Sequence, residues 1–422
     1  MRPQPRRDGS APPYERYAAA LGALTDHRAR GPLGLVDLDA FMANAASMAQ
    51  RAGGIPIRVA TKSVRIRAAV DVALAQPGFS GVMTFTLPEA LWLHSLGHRD
   101  LVVAYPSVDR RALVELLVSA DARSCITLTI DSADHLTFLD DVARTAGLTA
   151  QAEATLPPVR LCLDLDAAWQ PSRRVRFGAL RSPVRTPEEA RTLARAILDA
   201  PHRALVGMLA YEGQVAGLPD GAGPHAAAAQ FIKRASIRDL RTRRPDAVRA
   251  VRALLREHGQ DLEFVNGGGT GSLESTAGEG TVTEIGAGSG LMAPASFDGY
   301  TGFTLQPAQF FTCPVARRPR PDVVTVTGGG WTASGVPGRD RSPTVAWPPG
   351  LKYSRQEGAG EVQTPLHGPG AARLALGDPV FFRHAKAGEP AEHMSVVAVY
   401  SRAEDAIIDL WPTYRGEGKV FL

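Results

Sequence analysis

Cysteine, lysine and long apolar runs are all scarce in this chain. Its three cysteines, Cys125, Cys162 and Cys313, lie far apart and none belongs to a CxxC pair. That spacing supports neither a zinc knuckle nor a disulfide framework, and a reducing cytoplasm is the expected setting. No apolar run approaches the ~18 residues that would span a bilayer. The start, "MRPQPRRDGSAPPYERY", is basic and proline-rich but carries no apolar h-region. It reads as a frayed beginning and not as a signal peptide. The net charge is only +4, from 47 basic and 43 acidic residues. Of those 47 basic residues only five are lysines: Lys62, Lys233, Lys352, Lys386 and Lys419. Where arginine serves as the generic cation, a retained lysine draws notice, because a neutral amine can attack a carbonyl and a guanidinium cannot.

Lys62 stands out among the five. It closes the stretch "IRVATKS", an apolar run that reads as a strand. From about residue 56 to 285, short apolar runs alternate with longer helical patterns. Strands are expected at Ile57–Ala60, Gly81–Phe85, Leu101–Ala104, Ile126–Ile130, Val159–Leu163, Ala204–Leu209, Leu262–Val265 and Val282–Ile285. Between them lie amphipathic segments such as "TPEEARTLARAILDA", whose Thr186, Pro187 and Glu189 form a helix-start signature. Eight such units argue for an α/β fold, a (β/α)8 TIM-type barrel, with a doubly wound sheet as the competing arrangement. The earlier unit "LGLVDLDAFMANAASMAQRAGG" stands outside the count of eight and reads as a link to a second domain. After about residue 300, helical periodicity gives way to Pro, Gly and short runs such as "PDVVTVTGGGWTA", "GDPVFFRHA" and "HMSVVAVY". The expected division is an N-terminal extension at 1–30, the barrel at 31–300 and a β-rich C-terminal domain at 301–422.

Active sites of such barrels gather at the C-terminal ends of the strands. Four features fall there: Lys62 after the first strand, "YEG" (Tyr211 to Gly213) after the sixth, "NGGGTGS" (Asn266 to Ser272) after the seventh and "GAGSG" (Gly286 to Gly290) after the eighth. Glycines let backbone N–H groups approach an anion, and Thr270, Ser272 and Ser289 add hydroxyls. Each loop alone also reads as a plain tight turn. Two adjacent loops beside a strand-end lysine describe a pocket for pyridoxal 5′-phosphate, with the aldehyde on Lys62 and the phosphate on the glycines. Tyr211 reads either as a ring-packing residue or as a core residue of the mouth.

The stretches "LVDLDAFMANAASMAQRAGGIPIRVATKS", "GMLAYEGQ", "NGGGTGS" and "TEIGAGSG" resemble the alanine-racemase-like, fold-type III enzymes that use pyridoxal phosphate. Within that group the chain is similar to the D-threonine aldolase and D-serine dehydratase branch, from about residue 30 to the C-terminus. The resemblance implies that Lys62 is the Schiff-base lysine and that Gly268, Gly269, Thr270 and Gly271, with Gly288 and Ser289, hold phosphate. It implies that Arg176, in "VRFGALRSP", sits near the cofactor ring; a surface cation is the other reading. It further implies a divalent metal at His384. There Lys386 replaces the expected second ligand, with Glu389, Glu392 and His393 nearby as substitutes and direct acid/base work by His384 as the alternative.

The activity implied is that of a lyase on a β-hydroxy D-amino acid, acting as a cytoplasmic homodimer with a small-molecule partner. The competing readings are an amino-acid racemase, with Tyr353 or Tyr414 as its second base, and a regulatory protein that carries the cofactor without turnover. The basic segment "KRASIRDLRTRRPDAVRAVRALLREHG" lacks interleaved aromatics and reads as a solvated helix face, so no nucleic acid is expected.

Overall fold

A computed structural model describes residues 11–26, 32–221, 225–336 and 338–422; residues 1–10 of the basic start lie outside them. The described residues form two compact units, one within 48–62, 74–288 and 421–422, the other within 11–47, 63–73 and 289–420.

The first unit is a closed parallel barrel of eight strands: β1 (Ile57–Ala60), β2 (Phe79–Thr84), β3 (Leu101–Val103), β4 (Ile126–Ile130), β5 (Val159–Asp164), β6 (Arg203–Ala210), β7 (Phe264–Gly267) and β8 (Glu284–Ala287). β8 closes the ring against β1, with Ile285 opposite Ile57 and Ala287 opposite Val59. All eight strands read from the sequence are present, displaced by no more than two residues at either end. They were legible because a barrel strand is covered on both faces, so even a short one is a nearly unbroken apolar run. Val102, Cys162, Val206, Leu209 and Phe264 fill the interior. Gly207 is there because the Phe264 ring needs its space: a Cβ would lie 2.2 Å from that ring. Buried Arg58 on β1 reaches Glu284 on the neighbouring β8 at 2.7 Å and Asp100, just before β3, at 2.7 Å; its buried charge requires these partners.

Helices follow the strands. Thr186 caps Pro187–Asp199 through a full capping box with Glu189, as its sequence signature predicts. The basic segment forms the 31-residue helix Ala226–Arg256, and its charges are not all solvated. Arg244 is buried, and Arg243 donates to Asp239 at 2.8 Å and to the Ala168 carbonyl at 3.0 Å.

The second unit is built on a nine-stranded sheet. The strand Leu33–Asp37, expected as a link, lies inside it, antiparallel to Gln309–Arg320 and parallel to Val396–Ser401. The runs noted after residue 300 become the strands Val323–Thr327, Pro379–Arg383 and Val396–Ser401. Part of the supposedly frayed start is also ordered: Tyr14–Gly22 is a helix. Its Tyr17 is fully buried among Leu35, Phe310, Phe381 and Tyr400, and its hydroxyl donates to Asp37. One aromatic anchor holds a segment whose composition alone suggested fraying.

Candidate active site at the barrel mouth

Lys62 sits on a single 3-10 turn, Thr61–Ser63, directly after β1. The Thr61 hydroxyl fixes that turn by donating to the Met83 carbonyl on β2 at 3.1 Å. The Lys62 side chain is exposed; the turn carries it out of the strand and onto the rim. Its amine donates to the Tyr105 hydroxyl at 3.3 Å and lies 5.9 Å from that ring's centre. Tyr105 follows β3. Burial works to raise its phenol, but Lys62 and Arg181 outweigh burial and hold it below the usual range. The Arg181 guanidinium lies over Tyr105 at 5.1 Å and over Tyr211 at 5.3 Å, so one cation bridges two aromatic faces. Tyr211, which follows β6, is pushed up by burial, with Arg181 opposing.

The glycine turns adjoin both ends of this row. A Cβ on Gly269 would lie 3.4 Å from the Tyr211 ring, and a Cβ on Gly288 would lie 2.4 Å from the Ala60 carbonyl, two residues before Lys62. Gly268 adopts φ +76, a conformation that favours glycine. The N–H groups of Gly268 and Gly269 are engaged, donating to Glu212, after β6, at 3.0 Å and to the Ser272 hydroxyl at 3.2 Å. Thr270 and Gly271 belong to the short turn after them, and Ser289 opens the helical turn Ser289–Met292 after Gly288. Around one rim the order is therefore Gly269, Tyr211, Arg181, Tyr105, Lys62 and, past Ala60, Gly288.

Arg176 takes a different place. It donates to Asp166 at 2.8 and 3.0 Å, and Arg185 joins the same carboxylate at 2.8 Å. Gly178 lets this loop close: a Cβ there would lie 2.9 Å from the Ala168 backbone. Near these arginines Asp164, buried at the end of β5, is pushed up to about 7, first by burial and then by Asp131 and Asp166, with Arg181 opposing.

His384 belongs to the other unit, at the end of Pro379–Arg383, and is buried. Its Nδ1 lies 2.5 Å from the Lys386 carbonyl and 3.3 Å from the Lys386 N–H, so the backbone of Lys386 offers that nitrogen both an acceptor and a donor. Nε2 lies buried beside the Trp331 backbone without a well-formed hydrogen bond. Burial holds the imidazole below its ordinary pKa, and thus neutral. The Lys386 amine donates to the Ser334 carbonyl at 2.5 Å. Among the described residues no three His, Cys, Asp or Glu side chains gather to hold a metal ion. The donor set at His384 does not fit one. In the same unit, the Tyr353 hydroxyl donates to the Pro343 carbonyl at 2.7 Å, and Tyr414 is 1% exposed.

Sequence reasoning passed over Tyr105, Arg181, Asp164 and Glu212. Tyr105 could have been found by inspecting the residues just past the end of each strand. Arg181 could not, since the loop between β5 and its helix holds several arginines and only the fold separates them.

The sequence matches the model of the alanine racemase N-terminal domain over residues 36–273, more than half of the chain. No curated protein matches it in sequence. Among solved structures it is similar to D-threonine aldolase from Filomicrobium marinum, at 20% identity and TM-score 0.71, covering 93% of this chain and 96% of that one. It is similar also to D-threo-3-hydroxyaspartate dehydratase from Delftia sp. HT23, at 20% identity and TM-score 0.63, covering 93% and 98%. Alanine racemase from Corynebacterium glutamicum matches at 19% identity and TM-score 0.54, covering 83% and 88%. At such identities the likeness is one of fold. The barrel, its mouth and the match over residues 36–273 together place this chain in the alanine racemase N-terminal domain family.

Proposed function

We propose that this chain is a pyridoxal-phosphate-dependent lyase acting on β-hydroxy D-amino acids. The observation that carries the reading is the unbroken row around the barrel mouth, with a primary amine and Gly288 at one end and the β7 glycine loop at the other. A primary amine, two aromatic faces and glycine turns fit a ligand with an aldehyde, a planar ring and an anionic tail. Lys62 would hold the aldehyde. Gly268, Gly269, Thr270 and Gly271, with Gly288 and Ser289, would shape the phosphate site, and Tyr211 would flank the ring. Arg176 acts at one remove, by fixing Asp166 and the loop that carries Arg181. When bound, the cofactor supplies an electron sink for the pair left at the substrate's Cα.

The chain's own residues do the rest. The Lys62 amine would hold or move the proton at the substrate's Cα. Tyr105 shares a proton with that amine through their 3.3 Å contact. Arg181 presents a cation to the substrate carboxylate. To His384 the family resemblance assigns the proton of the substrate hydroxyl, a task for an imidazole that burial holds below its ordinary pKa. No step is routed through a metal. Two of the fold neighbours are named for reactions of β-hydroxy D-amino acids, one an aldolase and one a dehydratase, which supports the substrate class. The racemase alternative keeps Tyr353 and Tyr414 as its candidate second bases: the half-buried Tyr353 hydroxyl donates to the Pro343 carbonyl, and Tyr414 is buried.

The test offers D-threonine, D-serine and D-alanine, with their L forms as controls, to protein supplied with pyridoxal phosphate. The expected result is cleavage to an aldehyde and glycine, or elimination to a keto acid and ammonia, from a D-hydroxy substrate only. Racemisation of alanine without either product would contradict the assignment.

A further inference from the structure

Behind the β7 glycine loop lies a buried group of charges that the proposed reaction does not use. Glu212, from the "YEG" turn after β6, is 3% exposed. Its Oε2 accepts from the Gly268 N–H at 3.0 Å and from Arg244 at 2.6 Å. Its Oε1 accepts from the Thr276 hydroxyl at 2.5 Å and faces the Ser272 hydroxyl at 3.4 Å. Ser272 Oγ in turn accepts from the Gly269 N–H at 3.2 Å. Arg244 rises from the helix Ala226–Arg256 and also donates to the Ala210 carbonyl at 3.1 Å and to Glu279 at 2.7 Å. One carboxylate thus gathers donors from the start of the glycine loop and from the helix Leu273–Ala277 just beyond it. One guanidinium moors that carboxylate to the longest helix of the unit.

Glycine loops have no side chains with which to hold themselves. At φ +76, Gly268 has no preference strong enough to fix this conformation. Fixing two consecutive N–H groups sets the backbone there and the direction of the next peptide groups. We propose that Glu212, held by Arg244, is the positioning residue of this loop: it sets the backbone in the shape that takes a phosphate ester without touching the ester itself. Glu279 tunes the arrangement by sharing Arg244 with Glu212. Burial lifts the Glu279 carboxyl to about 7, with Glu212 adding to the rise and Arg244 and Arg241 opposing it. As the pH passes that value, Glu279 gains a charge, competes for Arg244 and adds a second negative group behind the loop. The grip on a phosphate dianion therefore falls as the pH rises.

This proposal rests on the reading of the mouth as a pyridoxal phosphate site, and the test separates the two. Pyridoxal phosphate and pyridoxal, which share the ring and aldehyde and differ in the phosphate, are titrated into the full chain and into E212Q and E279Q. The ratio of the two Kd values reports the phosphate grip alone. In wild type a large preference for the phosphorylated form is expected. E212Q cuts that preference roughly tenfold or more with the pyridoxal Kd unchanged, because a neutral amide leaves the buried Arg244 without its anion and puts a donor in place of one of two accepting oxygens. E279Q removes the fall in preference that wild type shows between about pH 6 and pH 8. An unchanged preference in E212Q overturns the proposal. If E212Q fails to fold, as judged by circular dichroism, the E279Q profile decides, and a profile identical to wild type overturns it. A wild-type chain that binds neither compound, or both equally, overturns the reading of the site instead.

Discussion

Lys62 was legible because a chain so rich in arginine keeps few lysines, and this one closes a strand. Its surroundings were not. The amine is exposed, and Tyr105 at 3.3 Å comes from a different strand end, a pairing that no spacing in the sequence encodes. Arg176 and Arg181 are five residues apart in one arginine-rich loop; the fold gives the first to Asp166 and the second to the aromatic faces. Asp164 carries a consequence of its own. Its folded-state pKa, about 7, is above the ordinary aspartate value, so its contribution to stability is full below about pH 4 and is lost as the pH rises through 7. Asp164→Asn escapes that loss. The Tm of the variant minus that of wild type, followed across this range, is expected to grow with pH. A flat difference would show that Asp164 titrates normally.

At the scale of elements, the barrel strands announced themselves because each is short, apolar and bounded by turn residues. Leu33–Asp37 looks just like them, and only its pairing with Gln309–Arg320 and Val396–Ser401 assigns it to another sheet. Glycines discriminate well at this scale. The missing side chain of Gly288 allows the close approach to Ala60 where β8 meets β1, and a Cβ would lie 2.4 Å from a backbone oxygen that cannot swing aside. Gly288→Ala is therefore expected to cost about 1–3 kcal/mol in denaturant unfolding. Gly22→Ala, with nothing within 4 Å of the new atom, serves as the control and should shift stability little. Equal effects at the two positions would mean that the barrel closure is looser than this contact implies.

Across the whole molecule, the sequence reads as barrel followed by β-domain, yet the second unit draws on three separate stretches of chain. Long-range pairing of that kind leaves no local trace, which is why the helix Tyr14–Gly22 went unread. Its worth can be measured: Tyr17 is fully buried among aromatics, so Tyr17→Ala should cost about 3 kcal/mol or more. A loss within about 0.5 kcal/mol in chemical denaturation would return this segment to the status of a surface appendage.

The central claim is that one amine at the barrel rim carries the chemistry. Borohydride reduction of the protein mixed with pyridoxal phosphate, followed by peptide mapping, tests it most directly. The expected result is a single stable adduct, on the peptide containing Lys62, that disappears in Lys62→Arg. An adduct spread over Lys233, Lys352, Lys386 and Lys419, or one that survives that substitution, would contradict the account.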